Sequence, residues 1–116
     1  MHTIVVRDIV KQLNLSVVND AGLDRPITGG YASDLLSCVM AGAKEGHVWV
    51  TLQAHPNVIA VASLVGLSAV VITEGIHPDE ETVHKAQDEE ITVLTTRENT
   101  FATVGRLAAM GVGRDV

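Results

Sequence analysis

The chain has 116 residues, 47% of them apolar, and its 14 acidic and 8 basic side chains give a formal net charge of −6. This length predicts one domain over residues 1–116, and the apolar fraction supplies a core, which excludes intrinsic disorder. The acidic balance argues against a nucleic acid or an anionic membrane as partner, because both repel a negative surface. Aromatic residues make up only 3%, which disfavours stacking on single-stranded bases.

The cysteine content and the first residues of the sequence indicate the cellular compartment in which the protein works. The single Cys38 cannot form an internal disulfide, which is typical of a reducing cytoplasm. It falls in an apolar helical stretch, so we expect it to be buried and without a catalytic role. No signal-peptide pattern opens the sequence, and the longest apolar run, residues 58–67, is about half of a membrane span. These features predict a soluble cytoplasmic protein.

The first half of the chain predicts two helices and two strands. An apolar stripe at helical spacing predicts a first helix, formed by Val6, Ile9, Val10 and Leu13. Residues 15–18 and 48–52 are short runs rich in β-branched residues, which is typical of strands. Between them, Ser33 and Asp34 are predicted to cap a second helix. The predicted buried side of that helix consists of Leu35, Leu36, Val39, Met40 and Ala43.

The second half alternates strands and helices at the spacing of parallel crossovers. Strands are predicted at 69–72 and 91–94, about 22 residues apart along the chain. A third helix is predicted from Pro56 to Gly66, and a fourth after Pro78. A fifth is predicted to begin with a capping box of Thr95 and Glu98, to end at Gly111 and to bury Phe101, Val104, Leu107 and Ala108. Nearly continuous apolar strands favour a three-layer α/β/α fold with a mainly parallel sheet of about five strands.

Residues 22–34 form a loop that contains three glycines, a proline and an acid–base pair. Glycines ahead of a helix allow backbone N–H groups to approach an anion, and the alternative is a tight turn that delivers a short strand. The segment 24–30, DRPITGG, resembles the signature for which the DRTGG domain family is named. It differs from the bare signature by Pro26 and Ile27. The residues that follow it, together with 48–51, 55–57 and 73–75, are similar to the family as well, so the resemblance covers nearly the whole chain.

The resemblance implies an accessory, regulatory module. DRTGG domains stand beside phosphotransacetylase catalytic domains and between the paired CBS domains of regulated pyrophosphatases. Their fold is similar to that of the N-terminal domain of HPr kinase/phosphorylase, but the P-loop motif on which kinase chemistry depends is missing from this sequence. Free-standing relatives are encoded beside hydrogenase-like and histidine-kinase-like genes, which implies a redox or phosphotransfer protein as a partner.

The sequence predicts no catalytic, cofactor or metal site. Ser33, Asp34 and His55 have the residue types of a triad, but helix capping explains the first two. No two of the histidines, at 2, 47, 55, 77 and 84, have the spacing of metal ligands on one helix turn. The acidic residues between 79 and 90 are interpreted as a solvated helix face. The Gly-x-Gly-x-x-Gly fingerprint of dinucleotide-binding folds is also missing.

Candidate ligand-binding residues follow from position. In open parallel sheets, ligands bind outside the carboxyl ends of the strands. The residues predicted there are 53–55, 73–75 and 95–97. Together with the signature, the candidate set is Asp24, Arg25, Thr28, Gly29, Gly30, Ser33, Asp34, His55, Thr73, Glu74 and Gly75. The same residue types also cap helices, and that alternative stays open.

We therefore predict a non-catalytic regulatory or sensing module that binds a small ligand, such as an adenine nucleotide, or a protein partner. A homodimer is expected, because the apolar fraction exceeds what one small core can bury. The alternatives are a small hydrolase or phosphotransfer enzyme, and a scaffold subunit. All of the net charge lies between Glu74 and Glu98, so the loop at 24–34 is expected to lie apart from the acidic residues and to be open to an anion.

Overall fold

The computed structural model describes residues 3–113, which form five helices and five strands. The helices are α1 (Val6–Leu13), α2 (Leu36–Gly42), α3 (Pro56–Val65), α4 (Glu80–Glu89) and α5 (Thr100–Ala109). The strands are β1 (Ser16–Asn19), β2 (Gly29–Ala32), β3 (His47–Thr51), β4 (Ala69–Ile72) and β5 (Val93–Thr95). They form one sheet in the order β1-β5-β4-β3-β2, in which β1 is antiparallel to β5 and the other pairs are parallel.

Each face of the sheet is covered by helices, which gives two cores. On one face α2, α3 and α4 pack around the buried Trp49, and on the other face α1 and α5 pack around Leu94. Neighbouring residues of β4 point to opposite cores, Val70 to the first and Val71 to the second. This is why the strand is apolar at every position. The predicted three-layer α/β/α fold with a mainly parallel sheet is confirmed.

The first strand is an edge strand and not an inner one. The run at 15–18 predicted a strand covered on both faces, but Val17 of β1 is 42% exposed. The antiparallel partner β5 lies on one side of β1 only, and no strand of the described residues lies beyond it. The side chain of Asn19 donates hydrogen bonds to the carbonyl oxygens of Ala86 (3.1 Å) and Ile91 (2.8 Å), which ties the end of β1 to α4.

The predicted starts of α3 and α4 are confirmed, and the predicted start of α5 is wrong. Pro56 lies in the first turn of α3, and the carboxylate of Asp79 accepts the Thr82 N–H at the start of α4. The predicted capping box of Thr95 and Glu98 does not form, because Thr95 still pairs with β4 as the last residue of β5. Asn99 caps α5 instead, and its side chain accepts the Ala102 N–H at 2.8 Å.

The second helix buries less of its surface than its sequence predicts. The prediction that Ser33 and Asp34 cap this helix is wrong, because Leu35 is its N-cap and no side chain caps it. The Ser33 hydroxyl instead accepts the Leu35 N–H at 3.1 Å, ahead of the helix. Leu35 (64%) and Met40 (49%) are exposed, and so is Cys38, against prediction; Val39 is fully buried. Because α2 packs beside the edge strand β2, one side of the helix contacts no other helix or strand of the described residues and is exposed.

The predicted buried stripe of α5 is also wrong. Leu107 is buried, as expected, and Thr103 is buried with it. Phe101 is 89% exposed, Val104 is 38% exposed, and Ala108 is exposed as well. Helix α5 thus turns its Thr103 side toward the sheet, and an apolar row on the helix faces outward.

Candidate functional site

The structure divides the predicted ligand-binding residues between two opposite edges of the sheet. The carboxyl edge, where β2, β3, β4 and β5 end, holds Ser33, Asp34, His55, Thr73, Glu74 and Gly75. The amino edge, where these strands begin, holds Asp24, Arg25, Thr28 and Gly29. Gly30 lies within β2 between the edges. A parallel strand of four residues spans about 13 Å, so the predicted residues do not form one site.

The signature glycines belong to a strand and do not precede a helix. Gly29 and Gly30 are the first residues of β2 and pair with His47 and Val48 of β3. A Cβ atom on Gly29 would lie 2.8 Å from Nε2 of His47. Thr28 donates its hydroxyl proton to the carbonyl oxygen of Glu45 at 3.0 Å. The alternative of a turn that delivers a short strand is therefore correct, and the predicted anion cradle ahead of a helix is wrong.

A cavity of about 650 Å³ lies at the amino edge, beside the signature. Arg25 and Thr28 line it, but so do Glu45, Glu89 and Glu90. One arginine against three glutamates makes the cavity acidic. The expectation that the loop at 24–34 lies apart from the acidic residues is therefore wrong, because the end of α4 brings two of them to it.

At the carboxyl ends of β2 and β3, the candidate side chains bond to the backbone. The Asp34 carboxylate accepts the Thr51 hydroxyl at 2.8 Å and the Leu52 N–H at 2.9 Å, which joins the two strand ends. Nδ1 of His55 accepts the Asn57 N–H at 3.1 Å, so Nε2 carries the proton of the neutral ring. Among the described residues, no hydrogen bond connects Ser33, Asp34 and His55, and they form no triad.

The end of β4 contains a backbone conformation that is rare for its residue type. Glu74 has a φ of 66° and Gly75 a φ of 72°. Glu74 accepts the Thr100 N–H on its carboxylate at 2.9 Å, and its own N–H donates to the Glu98 carbonyl at 2.8 Å. The hydroxyls of Thr73 and Thr100 share a hydrogen bond of 2.7 Å. An acidic side chain of the protein therefore occupies the start of α5, the place where a helix attracts an anion.

The end of β5 borders a cleft of about 340 Å³, which we call the β5 cleft. It is lined by Leu13, Asn14, Ser16, Thr95, Thr96, Arg97, Glu98 and Arg106. The Arg106 guanidinium contacts the Glu98 carboxylate at 2.7 Å. Arg97 is exposed, and within residues 3–113 it has no ion-pair partner. Two arginines against one glutamate make this cleft positive.

Sequence reasoning found only part of the β5 cleft. The strand-end argument named Thr95, Thr96 and Arg97, but it missed Ser16 and Arg106. Ser16 pairs with Thr95 because β1 is antiparallel to β5, and Arg106 comes from the second turn of α5. No local pattern in the sequence places these two residues beside a strand end.

Residues 3–113 hold neither a cluster of metal ligands nor a helix that could span a membrane. Between residues 3 and 113, no group of three histidine, cysteine or acidic side chains has the arrangement of a metal site. His2 lies outside the described residues. The helices of this part of the chain are too short or too polar to cross a bilayer.

Most of the chain matches the model of a known protein family. The family model described as the DRTGG domain matches residues 27–110. The match includes Thr28, Gly29 and Gly30, whereas Asp24 and Arg25 precede it. No curated protein matches the chain.

A solved structure is similar over nearly the whole chain. It is the crystal structure of the CBS and DRTGG domains of the regulatory region of Clostridium perfringens pyrophosphatase, complexed with the activator diadenosine tetraphosphate. The TM-score is 0.75 at 19% identity, and the similarity covers 96% of this chain and 48% of the other. This chain therefore spans about half the length of that regulatory region, and the similarity is one of fold.

Proposed function

The chain belongs to the DRTGG domain family, and from that premise we propose that residues 1–116 form one non-catalytic regulatory domain. The proposed ligand is a small phosphate-bearing molecule of the adenine-nucleotide class. The domain works in the cytoplasm, as a homodimer. The observation that carries the proposal is the β5 cleft, in which two arginines lie beside hydroxyl groups at the carboxyl edge of a parallel sheet.

The charge balance favours the β5 cleft over the larger amino-edge cavity. A phosphate needs positive partners, and guanidinium groups bind its oxygens through paired, charge-assisted hydrogen bonds. In the β5 cleft the one glutamate, Glu98, is paired with Arg106, so Arg97 is left without an ion-pair partner among residues 3–113, and the hydroxyl of Ser16 lies nearby. The amino-edge cavity would place a phosphate against three glutamates. A volume of about 340 Å³ is within the usual range for small-molecule sites.

The solved Clostridium perfringens region supports the nucleotide class, because its activator is diadenosine tetraphosphate. That region also contains CBS domains, and this chain corresponds to 48% of it. We therefore take only the ligand class from the likeness. The position of the site rests on the charge and location of the β5 cleft.

Thermal unfolding with AMP, ADP, ATP and diadenosine tetraphosphate tests the ligand. A nucleotide present at one hundred times its Kd stabilises the folded domain by about 2.7 kcal/mol and is recovered unchanged. Arg97→Ala lowers the affinity about tenfold or more, since a charge-assisted hydrogen bond contributes roughly 1.5–3 kcal/mol. Lys85→Ala, which removes a positive charge from α4, is the matched control.

Other outcomes contradict this assignment. No stabilisation by any of the four nucleotides rejects the ligand class and leaves the scaffold alternative. Stabilisation that survives Arg97→Ala but is lost in Arg25→Ala moves the site to the amino edge. Formation of a hydrolysed or phosphorylated product favours the alternative of a small hydrolase or phosphotransfer enzyme.

An exposed apolar surface supports the proposed homodimer. It consists of Ala32 on β2, Phe101, Val104 and Ala108 on α5, and Val112; we call it the α5 surface. A small apolar cleft of about 140 Å³ lies within it. Strand β2 is the outermost strand there, so its outer backbone groups lack a strand partner among the described residues. A second copy would cover both features.

Light scattering after size exclusion tests the dimer. The expected mass is twice 12.3 kDa, and Val104→Asp converts the protein to a monomer without loss of fold. Leu64→Asp is the matched control, because Leu64 is 74% exposed on α3, on the opposite face. A wild-type mass of 12.3 kDa at every concentration, or dissociation by Leu64→Asp alone, contradicts a dimer through the α5 surface.

A redox or phosphotransfer protein is the remaining proposed partner. Leu35 and Met40 of α2 provide exposed apolar area away from the α5 surface, next to the exposed Cys38. A partner bound to α2 slows alkylation of Cys38 in cells relative to the purified protein, as measured by mass spectrometry. Equal alkylation rates in the two settings contradict a partner at α2.

A further inference from the structure

The β5 cleft continues into a second groove, which lies between α1 and α5. This groove has a volume of about 600 Å³ and is lined by Ile4, Asp8, Gln12, Leu13, Arg106, Ala109 and Met110. Leu13 and Arg106 line both cavities. The two spaces are therefore neighbours, with the Arg106 side chain at their junction.

The two spaces differ in chemistry. The β5 cleft is polar and has an excess of arginine over glutamate. The groove has apolar walls from Ile4, Leu13 and Met110, and its charged residues within 3–113 are Asp8 and Arg106. Gln12 lies on its rim with donors and acceptors for an uncharged polar group. The β5 cleft thus suits a phosphate, and the groove suits an apolar group that can also form a few hydrogen bonds at its edges.

We propose that the β5 cleft and the groove form one elongated site for a phosphate ester that carries a flat, uncharged ring of the nucleobase kind. The phosphate binds at Arg97, and the ring lies between α1 and α5. This inference rests on the proposed function and adds where the base of the ligand binds and which side chain it stacks on. Inorganic phosphate or a sugar phosphate fills only the first half.

Arg106 is suited to the junction between the two halves. Its guanidinium is held by the Glu98 carboxylate at 2.7 Å, while about half of the side chain stays exposed. A guanidinium fixed at its edge leaves a planar face, on which a base can stack. None of Tyr31, Trp49 and Phe101 lines either cavity, so an arginine supplies the stacking surface that aromatic residues supply elsewhere.

Calorimetric titration with AMP and with ribose 5-phosphate separates the two halves of the ligand. In the wild type, AMP binds about tenfold more tightly than ribose 5-phosphate, because a stacked base adds that much. Ala109→Trp fills the groove from the exposed side of α5 and reduces the preference to less than about twofold, with ribose 5-phosphate affinity unchanged. Gln12→Trp fills it from α1 with the same result, and Ala60→Trp, on the exposed side of α3, changes neither affinity.

The outcomes also separate this inference from the proposed function. If ribose 5-phosphate binds through Arg97 but AMP binds no better, or if the preference survives both tryptophan variants, the groove is not part of the site and only the inference fails. If neither compound binds the wild type, the proposed function fails as well. Circular dichroism of each tryptophan variant verifies that it is folded.

Discussion

The imidazole of His47 lies against the backbone of Gly29 on the neighbouring strand. Nε2 of His47 would be 2.8 Å from a Cβ atom at this glycine, and Cδ2 would be 3.0 Å from it. The contact explains a glycine of the signature by side-chain packing, since a larger residue there would have to displace the His47 ring. The signature thus specifies how the edge strand joins the sheet.

Gly29→Ala is expected to destabilise the domain by about 1–3 kcal/mol, because the new methyl group displaces a packed ring. Urea denaturation measures the loss. Adding His47→Ala to Gly29→Ala recovers part of it, since the two residues are in contact and their effects are not additive.

Gly30→Ala is the control for this pair. Its Cβ would meet Val112 at 3.4 Å and Val48 at 3.5 Å, which are ordinary contacts, so the expected loss is less than about 1 kcal/mol. Equal losses at Gly29 and Gly30 would show that the His47 contact is not the reason for the glycine.

His47 also predicts how stability depends on pH. Burial, with Lys44 nearby, lowers the pKa of His47 below its ordinary 6.5. The unfolded chain therefore binds this proton more readily, so stability is highest above 6.5 and falls as the pH decreases below it. Urea midpoints at pH 7.5 and 5.5 should differ more for the wild type than for His47→Asn. An identical difference in the two proteins would assign the pH dependence to other groups.

Asp79 predicts a second loss of stability, in more acidic solution. The Thr82 N–H and hydroxyl bind its carboxylate, and with a smaller effect of His55 they lower the pKa of Asp79 below 3.8. Stability from this group is present above pH 3.8 and is lost as the pH falls through the lowered value. Asp79→Ala should flatten the acid limb of the stability curve and reduce the urea midpoint at pH 7. Glu80→Ala, which changes an exposed acid in the first turn of α4, should do neither.

Leu107 and Phe101 test the orientation of α5. Leu107 is 4% exposed, so Leu107→Ala is expected to cost about 2–5 kcal/mol, whereas Phe101→Ala should change the free energy of unfolding by less than about 0.5 kcal/mol. Denaturation is measured at a concentration low enough to keep the protein monomeric. A large loss from Phe101→Ala under those conditions would mean that the sequence stripe, and not Thr103, faces the sheet.

The sequence was sufficient to predict those features of the fold that depend on a few adjacent residues. Pro56 and Gly66 delimit α3 because a proline fits a first turn and a glycine adopts the left-handed C-cap, here with a φ of 82°. The continuous apolar runs of β3 and β4 were sufficient to predict a sheet with helices on both faces, since both faces of these strands are covered. Fold class followed from such signals and from the length of the crossovers.

Features that depend on neighbours far along the chain were not predictable. Leu35 and Phe101 are as apolar as core residues, but the sequence does not show that α2 lies at a sheet edge or how α5 is rotated. The β5 cleft depends on the reversed direction of β1, which brings Ser16 to Thr95, and on the turn of α5 that carries Arg106. Strand direction is a property of the assembled sheet, so the periodicity of one segment does not contain it.

The antiparallel pairing of β1 with β5 has a consequence for biosynthesis. Ser16 leaves the ribosome well before its partner Thr95 and before Arg106 of the same cleft, because both follow it along the chain. Strands β2, β3 and β4 can pair with one another during translation, whereas β1 can pair only after β5 has been synthesised. A polypeptide that stops before Arg106 lacks part of the cleft, so we expect ligand binding only from chains that extend past this residue.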